Sequence, residues 1–519
     1  AAVTLDEATN NFGTVTIGNA GAVTLVDADA LVLGAISATT LDATTSGNIT
    51  QSGVLALGAT TLAAGAGDIT LTTGTNDFTG AVAITSGNNV AITDANAVDF
   101  GASTITGTFD VVATGAVSDS GAISAGATTV TNAGNTVILD AGNDFDSINI
   151  SGSTVTVNDT DELDVVGVTA TGALTITTSG AITQTGAIDA DSTTSLTAGA
   201  GNDITLTNAS NDFTGAVSIV SGNNVAITDV NAVDFGASTV SGTFDVIATG
   251  AVSDSGAISA GATTVTNAGN TVVLDDANDF SSVNVTGSTV TVNDTNALDI
   301  AGLTATGAVV ITTAGAITQS GAIDADSTTS LTAGAGNDIT LTDATNDFTG
   351  AVSIVSGNNV AITDTNAVDF GASTVSGTFD VIAGGAMSDS GVLAVTGVTT
   401  LDTDSDDDGT GDGNIVFDQN NDFSTLVADA GDQTVTVSDA NAIVLGNVTA
   451  ATLNVTSDSD NSDTTTDTIT QSGSSTIAVS GTTTLNTGSD TVSVAAVTLD
   501  EATNNFGTVT IGNAGAVTL

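Results

Sequence analysis

The sequence predicts an all-β protein: a right-handed parallel β-solenoid (β-helix) with about 20–24 residues per coil and three coils in each module of about 67 residues. Three observations predict it. The stretch Asn211–Asn270 recurs almost unchanged at Asn76–Asn135, and again from Asn346 until it diverges after Ser390, a constant step of about 135 residues. Val, Ile, Leu and Thr alternate with polar residues in short runs such as Ser153–Asp159 (STVTVND) and Ala173–Gly180 (ALTITTSG), which is the period of a strand. Gly, Asn, Asp and Ser-Gly steps separate the runs, and no proline interrupts a ladder of hydrogen bonds.

In chain order, Ala1–Leu25 recurs residue for residue at Ala495–Leu519. The chain thus opens and closes within a repeat, which suggests a segment of a longer array. Inside that span the tripeptide N-[DN]-F ends at Phe12, Phe78, Phe145, Phe213, Phe280, Phe348, Phe423 and Phe506. It divides one continuous array, residues 1–519, into modules 10–75, 76–142, 143–210, 211–277, 278–345, 346–420 and 421–503, with 504–519 opening the next. Two module types alternate. One carries SDSG (Ser118–Gly121, Ser253–Gly256, Ser388–Gly391) and the other ITQ[ST]G (Ile49–Gly53, Ile182–Gly186, Ile317–Gly321). Each module divides into three stretches of about 20–24 residues, for example Asn76–Ala97, Val98–Gly121 and Ala122–Gly142. That length suits one coil and is too short for a β-sandwich module.

A single coil cannot bury its apolar face. Stacked coils pair every strand with the coils above and below and enclose a narrow core. The abundant small and β-branched residues fit such an interior, with Phe stacking or filling corners. At about 4.8 Å per coil, about 23 coils make a stack near 110 Å long. With no Cys there is no disulfide, and with no Lys there is no amide crosslink, so the fold must be held without covalent staples.

The chain of 519 residues has no Lys, Arg or His, 58 acids and a formal charge of -58. Glutamate occurs only as Glu7, Glu162 and Glu501. Trypsin-type proteases find no site, and nucleic acid, phosphate or anionic lipid is repelled. An enzyme is not expected: the side chains that activate nucleophiles or stabilise anions are missing. No apolar run reaches the roughly 18 residues that a membrane-spanning helix needs, and no signal peptide is visible. One charge per roughly 2 Å of stack approaches the density of duplex DNA, about one per 1.7 Å. Metal cations, Ca²⁺ above all, are therefore expected partners. The competing reading is a solvated acidic surface.

The sharpest candidate Ca²⁺ loop is Asp402–Asn414, DTDSDDDGTGDGN. Asp404, Asp406 and Asp408 followed by Gly409 match the opening of a D-x-D-x-D-G loop, Asp402 adjoins it and Asp412 falls at the ninth position. Ile415 stands where a closing Glu is needed. A weaker acidic stretch contains Asp458, Asp460 and Asp463. AGAGNDITL, at Ala198–Leu206 and Ala333–Leu341, has the outline of a Ca²⁺-binding nonapeptide, against the alternative of a turn entering a strand. The recurrent Asn of N-[DN]-F is expected in a turn or in an amide ladder from coil to coil.

The segments NDFTGAV, GNNVAITD, NAVDFG, ITQSGAI and TTSLTAGAGNDITLT together resemble the repeats of giant secreted bacterial surface proteins of the filamentous-haemagglutinin-like, β-helical adhesin type. The resemblance covers nearly the whole chain. It implies export and a stalk or fibre role in attachment or aggregation. The complete loss of basic residues departs from that family's pattern. The expected function is a structural fibre, stalk or sheath at the cell surface, assembling with itself end to end. The alternative is a Ca²⁺-dependent adhesin binding glycans or other cells.

Overall fold

The computed structural model describes residues 1–404, 410–460, 467–488 and 495–519. The chain forms two compact units, Ala1–Gly261 and Ala262–Leu519. Each is an all-parallel β-solenoid, and the two comprise about 25 turns together. Among the described residues there is no helix.

In the first unit one stack of strands is built on Ile69. Val90, Phe109, Thr128, Ile148 and Val165 follow it in register, and from the Leu163 end of that last strand the stack continues to Ile182 and Ile204. Ile69 and Ile204 are one full sequence repeat apart and seven coils apart. The mean coil is therefore about 19 residues long, shorter than the sequence divisions imply, and a module holds three and a half coils, not three. The sequence divisions ran long because a single strand bends through several faces while staying paired, so a corner does not end the strand. Val137–Gly152 is the clearest case: its first residues pair with Val155–Asp159 and its last with Leu163–Ala170.

The half coil has a consequence for symmetry. A second stack runs through Val137, Val155, Leu174, Thr194 and Val217, at steps that lengthen along the chain. The strand after Phe213 (Val217–Ser221) stands in this stack, whereas the strand segment after Phe145, beginning at Ile148, stands in the first. Successive modules thus present the same motif on alternate stacks. Only the double module repeats in space.

The second unit follows the same plan. Val290, Val309, Thr329 and Val352 form one stack, and Ile339, Val360, Phe379, Thr399 and Leu426 the other. Inward positions are taken mainly by Val, Ile, Leu, Ala and Phe, with buried Thr, Asn and Asp at intervals. Alternation at period two accounts for this: in Val90–Asp94 the first, third and fifth residues face the core and the others face outward. Most of the close phenylalanine pairs among the described residues meet edge-on, and Phe417 stacks on Phe423 with the rings 26° apart. Phe100 meets Phe109 edge-on at 4.9 Å, and Phe235 meets Phe244 in the same way at 4.9 Å.

The coils lie so close at some corners that only glycine fits. A Cβ on Gly186, the glycine of ITQTG, would overlap the carbonyl oxygen of Val166 in the preceding coil, and one on Gly321 would overlap that of Ala301.

Candidate functional site

The N-[DN]-F motif is the centre of a recurring polar site. Its Phe amide donates to a carboxylate in the following coil: Phe78 to Asp94 Oδ2 at 2.7 Å, Phe145 to Asp159 at 2.8 Å, Phe213 to Asp229 at 2.8 Å and Phe280 to Asp294 at 2.6 Å. Phe348 and Asp364, Phe423 and Asp439, and Phe12 and Asp27 repeat the contact at 2.7 Å each. The other carboxylate oxygen accepts the amide two residues further on, as in Asn96 to Asp94 at 2.6 Å and Asp161 to Asp159 at 3.0 Å. One side chain thereby closes its own turn and clasps the coil before it.

These seven aspartates are buried. Each ends a strand at a core-facing position, after Val-x-Ile or an equivalent run: Val90, Ile92, Asp94, and Val155, Val157, Asp159. Burial pushes the carboxyls of Asp94, Asp159, Asp229, Asp294 and Asp364 above the ordinary range, against the lowering effect of the two N–H donors. Asp439 is pushed up to about 7 by the same cause. The sequence reading missed this set. The signal was present as an acid at the inward phase of an alternating run.

The Asn of the motif is buried as well and reaches both neighbouring coils. Asn76 Oδ1 accepts from the Leu55 amide at 3.1 Å and from Gln51 at 2.8 Å, while its Nδ2 donates to Leu71 O, Thr93 O and Gln51 Oε1. Asn211 binds Gln184 and Ile188 in the same manner, and Asn346 binds Gln319 and Ile323. In the other module type an aspartate replaces the glutamine. Asp119 accepts from Asn143 Nδ2 at 2.7 Å, and Asp389 accepts from Asn421 Nδ2 at 2.7 Å. The Gln of ITQ[ST]G and the Asp of SDSG are therefore equivalent partners of the next buried Asn. The amide link from coil to coil exists, but at these positions it runs from Asn to Gln or Asp and not from Asn to Asn.

AGAGNDITL forms a turn entering a strand. Gly199 and Gly334 take positive φ, at 82° and 84°, where a side chain would be strained. Asp203 then accepts Asn223 Nδ2 at 2.9 Å, the Asn224 amide at 3.1 Å and Asn224 Nδ2 at 3.0 Å from the next coil. Asp338 and Asp68 repeat these bonds with Asn358 and Asn359, and with Asn88 and Asn89. The backbone N–H contributes most to holding these carboxyls below their usual pKa, with help from the side-chain amides.

In the acidic stretch, Asp402 ends the strand Leu393–Asp402, pairs in register with Asp429 and accepts the Asp404 amide at 2.9 Å. Asp404 is buried, and the Asp412 amide donates to Thr403 O at 2.6 Å. Asp406 and Asp408 lie outside the described residues, as does Asp463. Asp458 is buried with φ 55°, and Asp460 follows it. Among the described residues no three acids are grouped to hold a metal ion. Among the same residues no helix is long and apolar enough to cross a membrane.

The family described as repeats of unknown function (DUF5649) matches seven consecutive segments, residues 20–85, 87–151, 152–220, 222–286, 287–355, 357–430 and 432–513. The chain belongs to this family. No curated protein and no solved structure matches the chain. The DUF5649 frame gives the clasps their meaning. Phe78 lies in the first repeat and Asp94 in the second; Phe145 lies in the second and Asp159 in the third. The same holds through Phe423 and Asp439, so each of the six junctions between DUF5649 repeats is closed by one buried carboxylate.

Proposed function

We propose that this repetitive β-solenoid is a tension-resisting segment of an extracellular fibre, stalk or sheath at a microbial surface, of the β-helical adhesin type. The observation that carries the reading is the clasp: six consecutive repeat junctions use the same buried Phe–Asp bond. Chemistry repeated at every junction serves cohesion, whereas a catalytic site is normally a single exception in an array. The absence of Lys and Arg fits exposure to trypsin-type proteases. Self-association extends the same stacking.

Single-molecule stretching tests the mechanical role. Repeats that yield one at a time give a series of force peaks separated by about 220–240 Å, the extended length of one repeat. Smooth extension at low force contradicts the proposal.

A second reading, a Ca²⁺-dependent adhesin module binding glycans or other cells, is favoured by the acidic stretches around Asp402, Asp404 and Asp412 and around Asp458 and Asp460. It predicts that Ca²⁺ raises the thermal midpoint of the chelated protein and that Asp404→Asn with Asp412→Asn removes the gain. No response to Ca²⁺ rules it out.

A further inference from the structure

The six junction carboxylates have no cationic side chain to pair with, because the sequence contains no Lys, Arg or His. The nearby charges that act on them are acidic: Asp77 on Asp94, Asp161 on Asp159, Asp212 on Asp229, Asp279 on Asp294 and Asp347 on Asp364, with Asp422 and Asp467 on Asp439. Each clasp is shielded from water and holds a carboxylate between two amide donors. Ionising such a group places a charge in a poorly solvated site beside a like charge. Taking up one proton per clasp removes both penalties and weakens only one of the two N–H bonds.

We infer that the clasps built on Asp94, Asp159, Asp229, Asp294, Asp364 and Asp439 act as a proton-operated lock, holding consecutive repeats most tightly in mild acid and loosening them as the surroundings turn neutral. The lock is repeated at every junction, so its effect adds along the array, and it works without a ligand or a conformational lid. It does not depend on whether the protein serves as a fibre or an adhesin. Surface repulsion among the other acids also weakens in acid, but salt screens it: the Debye length falls to about 3 Å at 1 M. Buried carboxyls are screened far less.

The test is a carboxyl ¹³C NMR titration of the Asp-labelled full chain, with thermal melts at pH 5 and pH 8, each in 0.15 M and 1 M NaCl. The lock predicts that the six clasp carboxyls titrate later than ordinary aspartates, whose pKa is about 3.9, with Asp439 at about 7. It also predicts a lower melting temperature at pH 8 than at pH 5 that persists in 1 M salt. The triple variant Asp94→Asn, Asp229→Asn, Asp364→Asn loses three members of the late-titrating set. The surface triple Asp110→Asn, Asp245→Asn, Asp380→Asn keeps all of it. If no carboxyl of the wild-type chain titrates later than ordinary aspartates, or if the pH effect on melting vanishes in 1 M salt, the lock is overturned. The wild-type titration decides the matter even if the clasp variant does not fold.

Discussion

The Phe145 amide donates to Asp159 Oδ2 at 2.8 Å across a junction between two repeats, and both residues are buried. The peptide that carries the aromatic anchor of one repeat is thus fixed by the strand end of the next. At a corner the carboxylate does for this amide what a ladder carbonyl does along a straight strand.

Asp159→Ala removes the acceptor of two amides, Phe145 and Asp161. The Phe145 donor is buried and its loss of a partner costs about 1–3 kcal/mol, while the amide of exposed Asp161 can turn to water. Native-state hydrogen exchange, which reads local opening, is expected to show faster exchange at Phe145 and at the paired strands on either side, with distant repeats unchanged.

Asn211→Ala breaks bonds to Gln184, Ile188, Leu206 and Thr228 together, spanning three coils. The expected cost exceeds that of a single hydrogen bond, about 1 kcal/mol, several-fold. Asn211→Asp keeps the acceptor for the Ile188 amide but turns a buried carboxylate oxygen toward the carbonyl oxygens of Leu206 and Thr228, so at neutral pH it is expected to cost at least as much as Ala. Exchange of the Ile188 amide orders the three proteins.

The hydroxyls of Thr194 and Thr329 are buried in the stacks and have no hydrogen-bond partner. Valine keeps the shape and removes the unsatisfied group. Thr194→Val and Thr329→Val are each expected to stabilise their coil by about 1 kcal/mol, read as slower exchange or a higher melting temperature.

Stability should peak in mild acid. The junction aspartates have folded pKa values raised above the unfolded value, so the folded state binds more protons than the unfolded one in that window. Their contribution is complete below the unfolded pKa and is lost as pH rises through the folded values, which for Asp439 means about 7. Asp68, Asp203 and Asp338 have lowered pKa values and act in the opposite sense. Their contribution is present above the unfolded value near 3.8 and is lost below it as they protonate. A melting curve across pH checks both arms.

The repeats, the solenoid and the turn chemistry were legible in the sequence because they rest on periodicity and on residues with special φ preferences, such as Gly199. The coil length was not. Val137–Gly152 turns corners while staying paired, and no Gly or Asn marks where each face ends except Gly142 at φ 74°. The clasp was missed for a different reason. Asp94 reads as surface acid by type, and only its phase after Val90 and Ile92 reveals that it points inward. Likewise the equivalence of Gln51 and Asp119 appears only once Asn76 and Asn143 are seen to bond a partner in the preceding coil. The Ca²⁺ loop was read from spacing alone, and Asp406 and Asp408 lie outside the described residues.

The coil register underlies every clasp, and the cysteine-free sequence allows it to be measured directly. Thr156 pairs with Thr175 in the adjacent coil. Parallel neighbours stand about 4.8 Å apart, inside the Cα range of about 4.4–6.8 Å that a disulfide accepts. Thr156→Cys with Thr175→Cys is therefore predicted to crosslink on mild oxidation, as read by intact mass after alkylation. Thr156→Cys with Gly180→Cys, the pairing that the longest coil expected from the sequence divisions would give, is predicted to stay reduced. Crosslinking of the second pair in place of the first contradicts the seven-coil repeat and the clasp geometry built on it.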